Sequence, residues 1–173
     1  DSYKSILESF VHAGAANEVE VKVIPVHSSD LDEKDVHKKF ESFDGVLVAP
    51  GFGERGIEGK INAIKYVREQ KIPFFGICLG MQMAVIEYAR NVLQLPSANS
   101  VEMDADTPHP VISLMDEQRN IANKGGTMRL GVWACAIKKN TFLHKIYNSE
   151  HIEERHRHRY EFNDAYYEQF NKH

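Results

Sequence analysis

Gly76-Ile77-Cys78-Leu79-Gly80 constrains the fold most, because it joins an apolar run, Phe74 to Ile77, to a helix-patterned segment with no spacer. A buried strand that passes straight into a helix must turn sharply. Glycines on either side of the turn let the backbone adopt a conformation that other residues resist. The run has the form G-x-C-x-G, the thiol counterpart of the G-x-S-x-G elbow that lifts a nucleophile off the edge of a parallel sheet. A buried structural cysteine is the plainer reading of an arbitrary Cys. The paired glycines and the helix start reverse that preference for Cys78.

The remaining pattern agrees with a layered α/β domain. Asp1 or Ser2 can cap a helix through Tyr3, Ile6, Leu7, Phe10 and Val11, with Gly14 as its stop. Val19, Val21, Val23 and Ile24 to Val26 read as a strand, Asp35 to Phe43 as a short helix or turn, and Gly45 to Ala49 as a buried strand. The loop Pro50 to Gly59 carries four glycines and leads into a helix through Ile61, Ile64, Tyr66 and Val67. After Cys78 an apolar stripe of Met81, Ala84, Val85, Tyr88 and Val92 predicts the next helix. Regularity weakens from Pro96 to Gly131, where loops with short strands are expected. Val132 to Ile137 reads as a strand, Thr141 caps a short helix through Phe142 and Ile146, and Asp164 to Phe170 is helix-like. The order implies a mainly parallel central sheet with helices on its faces and ligands beyond the strands' carboxyl ends.

A chain of 173 residues supports one domain, and 42% hydrophobic with 27% charged residues is an ordinary globular composition. The net charge of -4 gives no overall attraction to nucleic acid or an acidic membrane. Two cysteines in dissimilar contexts argue against a disulfide framework, and no apolar run reaches membrane-spanning length, so a cytoplasmic setting is expected. The start at Asp1 suggests a piece of a longer polypeptide.

At a helix start the Cys78 thiol meets open N–H groups and the positive dipole end, which favour thiolate. The Leu79 N–H follows the nucleophile, where such elbows receive an oxyanion, and Gly51 in the neighbouring loop can offer a second N–H. That loop matches neither G-x-G-x-x-G nor a P-loop, so phosphate binding is disfavoured, while a plain turn stays open. In Glu153 to Glu161, an extended strand would put Arg155, Arg157 and Arg159 on one face. That face could bind a carboxylate or be a solvated strand; interleaved acids argue against nucleic acid. His151 and Glu153 tempt as a base and its orienter, but any of nine histidines could be offered in this way. Cys135 is expected in the core.

These residues together resemble the class I, triad-type glutamine amidotransferase domain. The resemblance runs through Asp1 to Ser5, Gly51 to Gly56 with Glu58 to Lys60, Gly76 to Gln82, Gly125 to Gly131 and Glu154 to Tyr160. Thr127-Met128-Arg129-Leu130 and Arg155-His156-Arg157-His158-Arg159 point, within that class, to the CTP synthase family. The resemblance implies a flavodoxin-like three-layer sandwich that hydrolyses L-glutamine and passes ammonia to an ATP-dependent amination of UTP. Cys78 would form the glutamyl thioester and Gly51 and Leu79 the oxyanion hole, with Gly51, Phe52, Leu79, Gln82, Glu102 and Arg159 binding glutamine. No metal or cofactor is implied for this chain. ATP and magnesium belong to a synthetase domain expected on the same polypeptide, in a GTP-activated homotetramer that engages neither nucleic acid nor membrane.

The sequence departs from the family's pattern. Pro50 stands where the loop commonly has a first glycine, which spares the Gly51 donor. The His-Pro-Glu motif that supplies base and orienter in the family does not occur in these residues, nor do the family's first strand and the synthetase domain. Little turnover is therefore expected of the 173 residues alone. Alternatives are another triad amidotransferase, serving GMP or carbamoyl phosphate synthesis, and a catalytically idle domain kept for assembly.

Overall fold

A computed structural model of the chain describes residues 3–114 and 129–173. They fall into two compact units, Asp1–Pro96 and Ser97–His173.

The first unit is built on a strand–helix–strand crossover. Strand β1 (Val46–Val48) runs parallel to β2 (Phe74–Gly76), in the register Val46 to Phe74, Leu47 to Phe75 and Val48 to Gly76. Helix α3 (Ile57–Gln70) connects them, and α4 (Leu79–Asn91) begins directly after Cys78. Ahead of this crossover lie α1 (Lys4–Ala16), a 3-10 turn (Ser28–Asp30) and α2 (Glu33–Phe40). Asp32 caps α2 by accepting from the N–H groups of Asp35 at 2.8 Å and Lys34 at 2.9 Å. Leu31, Val36, Phe40, Ala63 and Val67 form a buried cluster, with Val46, Tyr66, Ile72 and Phe74 packed against it.

Three expectations for this unit need correction. Residues 19–26 form neither a helix nor a ladder with a described strand, and Val19, Val21, Val23 and Ile24 stay exposed. Alternation gives a strand its faces, but pairing requires a neighbour. Gly14 does not stop α1. It is buried within the helix, where a Cβ would lie 2.8 Å from the Val19 carbonyl oxygen, so its role is to let the chain fold back. The buried residues of α4 are Leu79, Gly80, Gln82, Met83, Ile86, Glu87 and Ala89, whereas Met81 of the expected stripe is exposed. The helix packs on α3 as well as on β1 and β2, and two of its buried positions are polar, which hides the pattern.

Glu87 is only 1% exposed and is held by the Arg68 guanidinium, whose Nη2 lies 2.8 Å from Oε1 and whose Nε lies 3.0 Å from Oε2. Asn91 Nδ2 donates to the same carboxylate at 3.1 Å. This pair ties α3 to α4 and holds the elbow helix over the sheet.

In the second unit, β3 (Asn99–Ser100), β4 (Pro110–Leu114) and β7 (Tyr160–Phe162) form one sheet in that order, parallel between β3 and β4 and antiparallel between β4 and β7. Strands β5 (Arg129–Ala136) and β6 (His151–His158) pair antiparallel from Arg129 with His158 to Ala136 with His151. Between them lies α5 (Phe142–Tyr147), capped by Thr141 Oγ1, which accepts from His144 N at 3.2 Å. A 3-10 turn (Asp164–Tyr166) and α6 (Tyr167–Asn171) follow β7, where the sequence predicts one helix-like segment. Gly125 to Met128 and the expected caps Asp1 and Ser2 lie outside the described residues.

Removing one member of a buried ion pair leaves the other charge without compensation. Arg68→Met is expected to lower stability by about 3 kcal/mol, and Arg68→Met with Glu87→Met to recover most of that loss. Denaturant midpoints of the three proteins test the coupling.

Candidate active site

The site in the first unit is assembled where β1, β2 and α4 meet. Ile77 N donates to the Val48 carbonyl at 3.0 Å, one residue past the end of β2, and Gly80 N donates back to Ile77 O at 2.9 Å. The chain therefore reverses within Ile77, Cys78 and Leu79. Both flanking glycines are required sterically. A Cβ on Gly80 would sit 2.1 Å from the Val48 oxygen, and one on Gly76 would sit 2.7 Å from the Gly80 carbonyl carbon. With both neighbours pinned, the turn falls on Cys78, which adopts φ 54 and ψ -107. That positive φ is strained for a residue bearing a Cβ, at a cost of roughly 1–3 kcal/mol. The sequence pattern predicts this elbow, and the geometry bears it out.

Cys78 is the N-cap of α4 and is half-buried. Leu79 is the first helical residue, and its N–H donates to no acceptor among the described residues. That open N–H and the helix dipole put positive potential beside the sulfur. Gly51 lies against the same turn: a Cβ added there would be 3.3 Å from Leu79 Cδ2. Gln82, 5% exposed, donates its backbone N–H to Cys78 O at 3.1 Å, so its side chain starts one turn into α4. Phe52 beside Gly51 is 67% exposed.

Spacing could not have revealed the role of Tyr3. Its hydroxyl donates to the Pro50 carbonyl at 2.6 Å across 47 residues of sequence. The Pro50–Gly51 peptide is trans, so its carbonyl and the Gly51 N–H point in opposite directions. Tyr3 thereby fixes the orientation of the Gly51 donor. The glycine-rich loop behind it is bound to the 3-10 turn, since Gly56 (φ 70) and Gly59 approach Ser28 too closely for any Cβ.

Glu102 and Arg159 are brought together within the second unit. The Glu102 carboxyl is pushed above its usual range by burial, while the Arg159 guanidinium pulls it the other way. The Tyr160 hydroxyl is also raised, first by burial and then by the Glu102 charge, so the three side chains share one electrostatic neighbourhood. The expected row of arginines is not one face. Arg155 and Arg157 are exposed on β6, whereas Arg159 lies past its last residue, half-buried between β6 and β7. Cys135, expected in the core, is half-buried on β5 with its sulfur 3.6 Å from His156 Nε2. No helix among the described residues is long and apolar enough to cross a membrane.

Residues 1–172 match the family described as glutamine amidotransferase class-I, and the chain belongs to that family. More narrowly, it is similar to CTP synthases: 63% identical over 172 residues to that of Flavobacterium johnsoniae and 56% identical over 172 residues to that of Cytophaga hutchinsonii. Each of these matches covers 99% of this chain but 32% of the relative, so the chain spans about a third of the curated relatives' length. Among solved structures, the Trypanosoma brucei CTPS glutaminase domain with bound acivicin matches with a TM-score of 0.92 at 40% identity, covering 99% of this chain and 66% of that one.

The strain at Cys78 has a thermodynamic signature. Cys78→Gly is expected to raise stability by about 1 kcal/mol, because glycine adopts the turn without penalty. Gly80→Ala should instead collapse the elbow, and urea denaturation of the two variants distinguishes them.

Proposed function

We propose that this chain is the glutamine-hydrolysing part of a cytoplasmic CTP synthase, with Cys78 as nucleophile. The observation that carries the reading is the strained Cys78 at the open N-terminus of α4, with the Leu79 N–H and the Gly51 loop beside it. The Cys78 thiolate attacks the side-chain carbonyl carbon of L-glutamine, and the oxyanion is received by the N–H groups of Leu79 and Gly51. Such donors contribute about 3 kcal/mol each to the transition state. Collapse of the adduct breaks the carbon–nitrogen bond. The nitrogen leaves as ammonia after taking a proton, and water then cleaves the glutamyl thioester to glutamate, regenerating the thiol.

On this reading Arg159 pairs with the substrate α-carboxylate and Glu102 with its α-ammonium, as charge-assisted contacts. Gln82 and Phe52 are further residues assigned to glutamine binding. The base and its carboxylate partner are the histidine and glutamate of the His-Pro-Glu motif, which these 173 residues do not contain. ATP, magnesium and UTP are handled by a synthetase domain of the same polypeptide, assembled as a homotetramer. The similarity to CTP synthases along 99% of the chain supports these assignments.

In the full-length polypeptide, Cys78→Ala is expected to abolish conversion of UTP to CTP with glutamine and to preserve conversion with ammonium salts. Glutamine-dependent CTP formation in that variant, followed spectrophotometrically, would reject the assignment.

Glu102 supplies an independent test through its raised carboxyl. A carboxyl whose folded value lies above its unfolded one binds its proton more tightly in the folded state. Stability is therefore lost as pH rises from the ordinary value through the raised one, and is regained on acidification. Glu102→Gln removes that cost, so it is expected to stabilise the fold at neutral pH while raising the KM for glutamine. In the wild type, KM should climb as acidification protonates Glu102, beginning above the ordinary glutamate range.

A further inference from the structure

The β5–β6 ribbon carries a second chain of nucleophilic and titratable groups that the glutaminase reading does not use. His158 Nδ1 lies 3.1 Å from the Tyr160 carbonyl oxygen, His156 Nδ1 lies 2.9 Å from His158 Nε2, and Cys135 Sγ lies 3.6 Å from His156 Nε2. When both rings are neutral, one end of this chain fixes the direction of the whole. A carbonyl oxygen only accepts, so His158 Nδ1 carries the hydrogen. Two imidazolium rings could not share the 2.9 Å contact, since both facing nitrogens would then carry hydrogens. With both rings neutral, His158 presents an Nε2 lone pair and His156 Nδ1–H donates to it. His156 Nε2 is then left as an acceptor aimed at the Cys135 thiol.

That order of groups is a nucleophile, a base and an orienter of the base. The Trp133 carbonyl oxygen also lies 3.6 Å from the sulfur, but it can hold the thiol hydrogen without removing it. The Tyr147 hydroxyl of α5, which shares an electrostatic neighbourhood with Cys135, donates its proton to Glu154 Oε1 of β6 at 2.6 Å.

We propose that Cys135 is a second activated thiol of this protein, a site of reversible S-thiolation by low-molecular-weight disulfides, with His156 as its base and His158 as the residue that positions that base. In the reaction His156 Nε2 takes the Cys135 proton as the sulfur attacks one sulfur of a disulfide RSSR. A Cys135–SR bond forms, the RS–SR bond breaks, and the departing thiolate takes the proton from His156 and leaves as RSH. No net oxidation is needed beyond the disulfide itself, and a reducing thiol reverses the step.

The test uses the full-length polypeptide exposed to oxidised glutathione, with the mixed disulfide at Cys135 followed by peptide mass spectrometry. Cys135 is expected to react about tenfold faster than the same cysteine in a synthetic peptide of the β5 sequence, a gain within reach of base assistance. His156→Asn should bring the rate down to that of the peptide and move the pH of half-maximal rate upward. His158→Phe, which removes the orienting contact and keeps His156, should lower the rate in the same direction by a smaller factor and serves if His156→Asn does not fold. A wild-type rate equal to that of the peptide overturns the proposal, as does a rate and pH profile unchanged in folded His156 and His158 variants.

Discussion

The contact between the start of α4 and the Val48 carbonyl oxygen governs the first unit. Gly80 brings its Cα so close to that oxygen that no side chain fits, and Gly76 is closed off in turn by the backbone of Gly80 and Met81. Once those approaches are made, the chain has one residue in which to reverse, and that residue is Cys78. The same approach presses α4 onto both strands of the parallel pair and sets Gln82, Met83, Ile86 and Glu87 inward. Burial of Glu87 then demands Arg68, so the requirement passes from the turn to the packing of α3 on α4.

Much of this was legible in the residues, because steric demands leave short-range traces. Gly-x-Cys-x-Gly encodes its own turn, and the β1 and β2 runs are short, apolar and bounded by glycine or proline. Helix α4 misled the periodicity argument because its buried face includes Gln82 and Glu87, whose inward direction depends on partners elsewhere. Val19 to Val26 misled it in the opposite way, since its alternation is a property of the segment whereas pairing is a property of two. The Tyr3 to Pro50 bond left no trace at all, because neither residue type nor spacing marks a phenol that meets a carbonyl 47 positions away. Cys135 reads as core because it sits inside the run Val132 to Ile137; the ladder sets it opposite Ile152, and only the reach of the His156 side chain brings a ring nitrogen to its sulfur.

The residues assigned to glutamine chemistry are also those on which folding spends stability. Cys78 occupies a backbone region that glycine would fill at lower cost, and Glu102 keeps a carboxyl where burial favours its protonated form. A purely structural elbow would be better made with three glycines, and a half-buried position beside Tyr160 better filled by glutamine. Strain and desolvation of this kind persist where the strained group has work that its relaxed substitute cannot do.

Hydrogen-bond direction is the second device the chain uses, and it operates the same way in both units. A trans peptide couples its carbonyl to its N–H, so the Tyr3 hydroxyl on Pro50 O settles where the Gly51 N–H points without touching it. A neutral imidazole couples its two nitrogens likewise, so with both rings neutral the Tyr160 carbonyl settles, through His158 and then His156, that the nitrogen facing the Cys135 sulfur is an acceptor. In each case one acceptor or donor of fixed polarity lies at the far end of a rigid planar group. The near end inherits its direction through covalent geometry, which costs less conformational entropy than holding a flexible side chain in place. Oriented donors and bases can therefore be built from backbone and rings that already belong to the fold.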